Sequence, residues 1–140
     1  MVALEQTCPH DMQVTQAVEI RINPRRSFIP DVVVATDEAA RRRSAKYAPH
    51  EVVLAIEIVS PTSQSMDRIT KPALYAAAGS PYYWRIETDG EITVHTYKID
   101  PEREMYKPFG VFSDTLEAPE PWALKLPISQ LTPRIFDVRS

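Results

Sequence analysis

The sequence predicts a mixed α/β (α+β) domain with a central sheet, one crossover helix and C-terminal hairpins. Three observations predict it. Residues 52–59 form a nearly continuous β-branched apolar run, the pattern of a central strand buried on both faces. A helical segment follows and ends at Gly79, with Pro81 just beyond, as a glycine cap requires. Asp89-Gly90 then separates two strand-like runs, the strongest short hairpin signal.

The elements follow in order. Residues 13–22 alternate near their end, with Val18, Ile20 and Ile22 on one face and Glu19 and Arg21 on the other, so they read as a half-buried strand. Asn23-Pro24-Arg25-Arg26 reads as a turn, and residues 29–35 as a short apolar strand entered through Pro30. Residues 37–47 are polar enough for a short helix or ordered loop. Pro72 is tolerated in the next helix only near its first turn, which puts the start between Ser65 and Thr70. Strands are expected at 82–87, 92–99, around 105–112 and at 122–126, with a short helix at 127–131. Strand, strand, strand, helix, strand and hairpins make one mixed sheet with a single crossover.

With 140 residues the chain suits one domain over 1–140. No apolar run approaches the ~18 residues that span a membrane, and the N-terminus lacks the pattern of a signal peptide. A lone Cys8 excludes a disulfide framework and a cysteine zinc site. These features place the protein in the cytoplasm. The net charge of -3 argues against a globally basic DNA-binding surface, so any such surface is local. Arg25-Arg26 and Arg41-Arg42-Arg43 with Lys46 are the local basic runs, and each better suits a solvated loop or helix face.

Glu57 is the most unusual residue. A carboxylate inside a doubly buried strand is costly unless it is paired, protonated or metal-bound. The bland alternatives are a strand end emerging into solvent and an ion pair. Asp31 follows Pro30 and opens an apolar run, a pattern shared with ordinary strand entries. On the helix, Asp67, Lys71 and Tyr75 fall at i, i+4 and i+8 and share a face. Two carboxylates on neighbouring strands suit Mg²⁺, and a nearby ammonium suits a phosphodiester transition state. Tyr82, Tyr83 and Trp84 suit either a base-stacking platform or, better for Trp84, the core.

The segments Ile29-Pro30-Asp31-Val32-Val33-Val34 and Ala55-Ile56-Glu57-Ile58-Val59-Ser60-Pro61-Thr62-Ser63 resemble the Uma-type "putative restriction endonuclease" family of the PD-(D/E)XK nuclease superfamily. Asp67, Lys71, Tyr75 and Gly79-Ser80-Pro81-Tyr82-Tyr83-Trp84 extend the resemblance. It implies a restriction-endonuclease-like fold and an Mg²⁺-dependent DNA endonuclease, with Mn²⁺ as substitute; a homodimer is expected from the uncovered side of the sheet and the need to cut two strands. By resemblance, Asp31 and Glu57 bind metal with the backbone carbonyl of Ile58. Val59 stands where the superfamily's lysine falls, and Lys71 supplies that lysine from the helix. Asp67, Arg68 and Tyr75 are the expected substrate contacts. The family's N-terminal helix and hairpin are expected to be missing, with residues 1–12 or another chain covering that side of the sheet, and Glu19 a candidate for the missing acid. The alternatives are an inactive binding module serving a mobile element or defence system, and a structural α+β domain with a Glu57–Lys71 ion pair.

Overall fold

The computed structural model describes residues 2–16, 18–42, 46–59, 70–88 and 90–130. Its frame is a six-stranded mixed sheet. Two strands precede the buried run: β1 (Met12–Gln16) and, after an excursion, β4 (Val32–Thr36). The excursion forms β2 (Glu19–Asn23) and β3 (Arg26–Phe28), a hairpin turning at Pro24-Arg25. Helix α2 (Asp37–Arg41) follows, capped by the Thr36 hydroxyl, which accepts from the Ala39 amide at 3.2 Å. The short β5 (Lys46–Tyr47) pairs with β2 in parallel and completes a small three-stranded sheet.

The apolar run becomes β6 (Val52–Val59), buried along nearly its whole length. Helix α3 (Lys71–Ala77) carries the chain over to β7 (Tyr82–Glu87), which pairs parallel to β6. β8 (Thr93–Asp100) and β9 (Met105–Phe112) return antiparallel, giving the order β1-β4-β6-β7-β8-β9. A separate hairpin, β10 (Thr115–Ala118) with β11 (Leu124–Pro127), precedes a 3-10 turn at Ile128–Gln130.

Strand alternation divides the sheet into two packed faces. On one, Val32, Val34, Leu54, Ile56, Ile58, Trp84 and Ile86 meet Leu4 from α1 (Val2–Thr7) and Leu116, Trp122 and Leu126 from the C-terminal hairpin region. The Trp122 indole N–H donates to Thr7 Oγ1 at 3.1 Å, tying the two coverings together. On the other face, Val33, Ala35, Ala55 and Tyr83 meet Ile20, Tyr47, Ala39 and Tyr75. The small sheet, α2 and α3 cover this second face.

Several expectations are met and others corrected. Gly79 has a φ of 93° and Gly90 a φ of 77°, the left-handed conformations that a helix end and a tight hairpin require. Ser80 N–H donates back to the Tyr75 carbonyl at 3.1 Å, closing α3. The single strand expected over 13–22 is two strands in two different sheets, because β1 pairs with β4 while β2 turns away to pair with β3 and β5. The strand at 115–118 was not expected, since its four residues carry only a weak alternating pattern. The last strand begins at Leu124, not 122, and Trp122 instead packs as a core residue. α3 is bounded at Lys71, with Thr70 already in helical conformation. The remainder of the proposed start lies outside the described residues.

Candidate active site

Glu57 from β6, Asp31 from the entry to β4, and Lys71 and Tyr75 from α3 meet on the α3-covered face. Alternation along β6 puts Ala55, Glu57 and Val59 on that face, opposite Ile56 and Ile58. Glu57 is only 3% exposed, so it lies within the core. Two groups from α3 meet its Oε1. The Tyr75 hydroxyl donates to it at 3.1 Å, and Lys71 Nζ lies 3.6 Å away. Lys71 and Tyr75 are one helical turn apart, which is why a single short helix delivers both to the same oxygen.

Asp31 reaches the site through strand register. β4 and β6 are antiparallel, with Val32 opposite Ile56, so the next position outward sets Asp31 across from Glu57. Its Oδ2 accepts the Ile58 amide at 2.7 Å. This charge-assisted bond pins the carboxylate to the backbone beside Glu57.

Electrostatics agree with the geometry. Burial, followed by the charge and hydrogen bond of Glu57, raises the Tyr75 phenol far above its ordinary range. Tyr75 therefore stays a proton donor to Glu57 at any physiological pH. Lys71 has a side-chain exposure of 18% and stands 5.7 Å over the Phe28 ring, which shields it from water on one side. Phe28 in turn meets Tyr75 edge to face with centroids 5.7 Å apart. The β2–β3 hairpin thus supports the site from above.

The oxygen-rich donor set suits a hard cation. Among the described residues no group of three or more His, Cys, Asp or Glu could hold a metal. A pair of carboxylates with a backbone carbonyl such as that of Ile58 matches what Mg²⁺ commonly takes from protein. The amide of that same residue already holds Asp31.

Tyr75, expected among the substrate contacts, has no exposed surface and meets Glu57 instead. Asp67 and Arg68 lie outside the described residues. Glu19 Oε2 is buried without a hydrogen bond, and its cation is Lys46, 3.7 Å away in the small sheet. Tyr83 and Trp84 are core residues, which removes them as a stacking platform.

Sequence reasoning missed a second polar group on the same face. The parallel register sets Arg85 beside Glu57, and the antiparallel register sets His95 beside Arg85. Arg85 Nε and His95 Nε2 each lie 3.0 Å from Glu87 Oε2. The signal was available: Arg85 interrupts an aromatic and apolar strand much as Glu57 does.

A model of the Uma2 family, described as "Putative restriction endonuclease", matches residues 3–131. No curated protein shows significant similarity. Among solved structures, the chain resembles a protein from Anabaena variabilis ATCC 29413 described as a "putative nuclease belonging to DUF820". The TM-score is 0.65 at 19% identity, over 93% of this chain and 72% of that one. The likeness establishes a shared fold. No helix among the described residues is long and apolar enough to cross a membrane.

Proposed function

The chain belongs to the Uma2 family, and we propose that it is a metal-dependent DNA endonuclease whose site is Asp31, Glu57 and Lys71. One observation carries the reading: a carboxylate buried in the central strand, with an ammonium and a phenol on one of its oxygens and a second carboxylate fixed at the adjoining backbone. Structural carboxylates seldom occupy such a position, because the desolvation cost is large.

In this reading Asp31, Glu57 and the Ile58 carbonyl hold Mg²⁺, with Mn²⁺ as a substitute. The chemistry supplied by the bound ion is polarisation of a phosphate and acidification of a coordinated water. Lys71 sets positive charge beside the reacting phosphate and offsets the negative charge that builds on its oxygens. Tyr75 acts through Glu57, holding the carboxylate in one orientation. The Ile58 amide does the same for Asp31. DNA is the proposed substrate and the cytoplasm the proposed compartment. The proposed assembly is a homodimer that brings two such sites to the two strands. Among the described residues β9 ends the sheet and exposes Phe109 and Val111, which supports that reading.

Cleavage of supercoiled plasmid with Mg²⁺ or Mn²⁺ tests the proposal. Wild type is expected to nick or linearise it, and Glu57→Ala to lose that activity at least ~100-fold. Equal behaviour of the two proteins would refute it. The Lys71–Glu57 contact also supports a second reading, a structural domain stabilised by a buried ion pair.

A further inference from the structure

A cavity of about 220 Å³ opens beside the proposed site, between α3 and the β8–β9 hairpin. Pro72 and Ala73, which directly follow Lys71, form one wall, and Tyr97, Tyr106 and Met105 form the other. Arg85 lines it from the sheet, at the register level of Glu57. Glu104 lines it from the turn before β9, at the opposite end of the strands.

We propose that this cavity binds a single unpaired nucleotide next to the phosphate being cut, with its own phosphate on Arg85 and its base against Tyr97 and Met105. The inference rests on the nuclease reading and adds a binding site to it.

Arg85 is the centre of the argument. Its side chain is only 13% exposed, its Nε is tied to Glu87 at 3.0 Å, and its guanidinium carbon lies over the Tyr97 ring, 5.6 Å from the centroid. Among the described residues its two terminal nitrogens make no hydrogen bond. A guanidinium oriented on one edge and open on the other is suited to bidentate phosphate binding. His95 shares the Glu87 carboxylate and keeps that carboxylate in place.

Size and chemistry favour one base. The cavity is smaller than the ~300–1,000 Å³ typical of drug-sized ligands. Aromatic and thioether surfaces suit a base face, and they bind unstacked bases in single-stranded recognition. Glu104 offers a carboxylate acceptor at the end away from Arg85. Guanine presents paired N–H donors, so guanosine monophosphate is the probe of choice.

The test needs neither metal nor catalysis. The intact chain in EDTA is titrated with guanosine 5′-monophosphate, and separately with inorganic phosphate, and NMR follows the Met105 and Ala73 methyls and the Arg85 Nε–H. The nucleotide is expected to shift all three signals, and phosphate only the Arg85 signal. Arg85→Met should weaken nucleotide binding about tenfold or more, with Arg85→Lys intermediate. Ala73→Leu, which fills the cavity from an exposed helix position, should abolish the nucleotide response and keep the phosphate response. A nucleotide titration that leaves Met105 and Ala73 unmoved overturns the pocket, as does unchanged binding in Ala73→Leu. Failure of wild type to cleave plasmid would overturn the nuclease reading alone, so the two failures are separable.

Discussion

Replacing Lys71 with methionine tests whether the buried carboxylate depends on its cation. At 3.6 Å and an effective dielectric of ~20, the gross attraction between Lys71 and Glu57 is about 5 kcal/mol. Desolvation of both groups offsets much of it, and the partial exposure of Lys71 weakens it further. Methionine keeps the apolar length of the side chain, so the loss is electrostatic. We expect Lys71→Met to lower stability by ~2–4 kcal/mol, because the buried Glu57 carboxylate loses the Lys71 charge. Glu57→Gln in the same chain should restore most of that loss. The assay is urea unfolding of the wild type, both single variants and the double variant. The result that refutes the reasoning is additivity within ~0.5 kcal/mol, which would mean the two groups do not couple. Plasmid cleavage by the same proteins separates the two functional readings. A Lys71→Met protein that is less stable yet cleaves like wild type makes the pair structural only.

Three further outcomes are expected. Tyr75→Phe removes the donor to Glu57 and should weaken Mn²⁺ binding about tenfold by calorimetry, as loss of a ligand-orienting bond does; unchanged affinity would remove Tyr75 from the site. Leu4→Ala should cost ~2–4 kcal/mol in urea unfolding, since Leu4 is fully buried and joins α1 to the core; a cost near zero would show that α1 does not hold the sheet. For Glu51, burial works to raise the carboxyl, but the Ala48 amide at 2.9 Å, Arg42 and His50 outweigh it and hold it below its ordinary range. A depressed folded value means stability that is present above the unfolded pKa of ~4.3 and is lost as pH falls through the folded value. Glu51→Gln should therefore flatten the stability profile on that acidic side, and an unchanged slope would count against the ion pair.

Local pattern was enough for the elements whose signals lie within a few residues. The nearly continuous apolar run of β6, the Gly79 cap and the Gly90 hairpin each encode their own geometry, so the sequence alone determined the central strand, the crossover and the β7–β8 hairpin. It also exposed Glu57, because a charge inside such a run contradicts its surroundings. Strand pairing was different. Residues 13–22 read as one strand because alternation does not say which neighbour a strand joins, and only the tertiary fold split them between two sheets. The same limit governed the site. Asp31 resembles any strand entry until the β4–β6 register sets it against the Ile58 amide. Arg85 and His95 are ten residues apart and become neighbours only through the β7–β8 pairing. Sequence shows which groups are costly to bury, because that depends on residue type and local pattern. Which partners relieve the cost depends on contacts between distant segments, and those exist only once the sheet has formed.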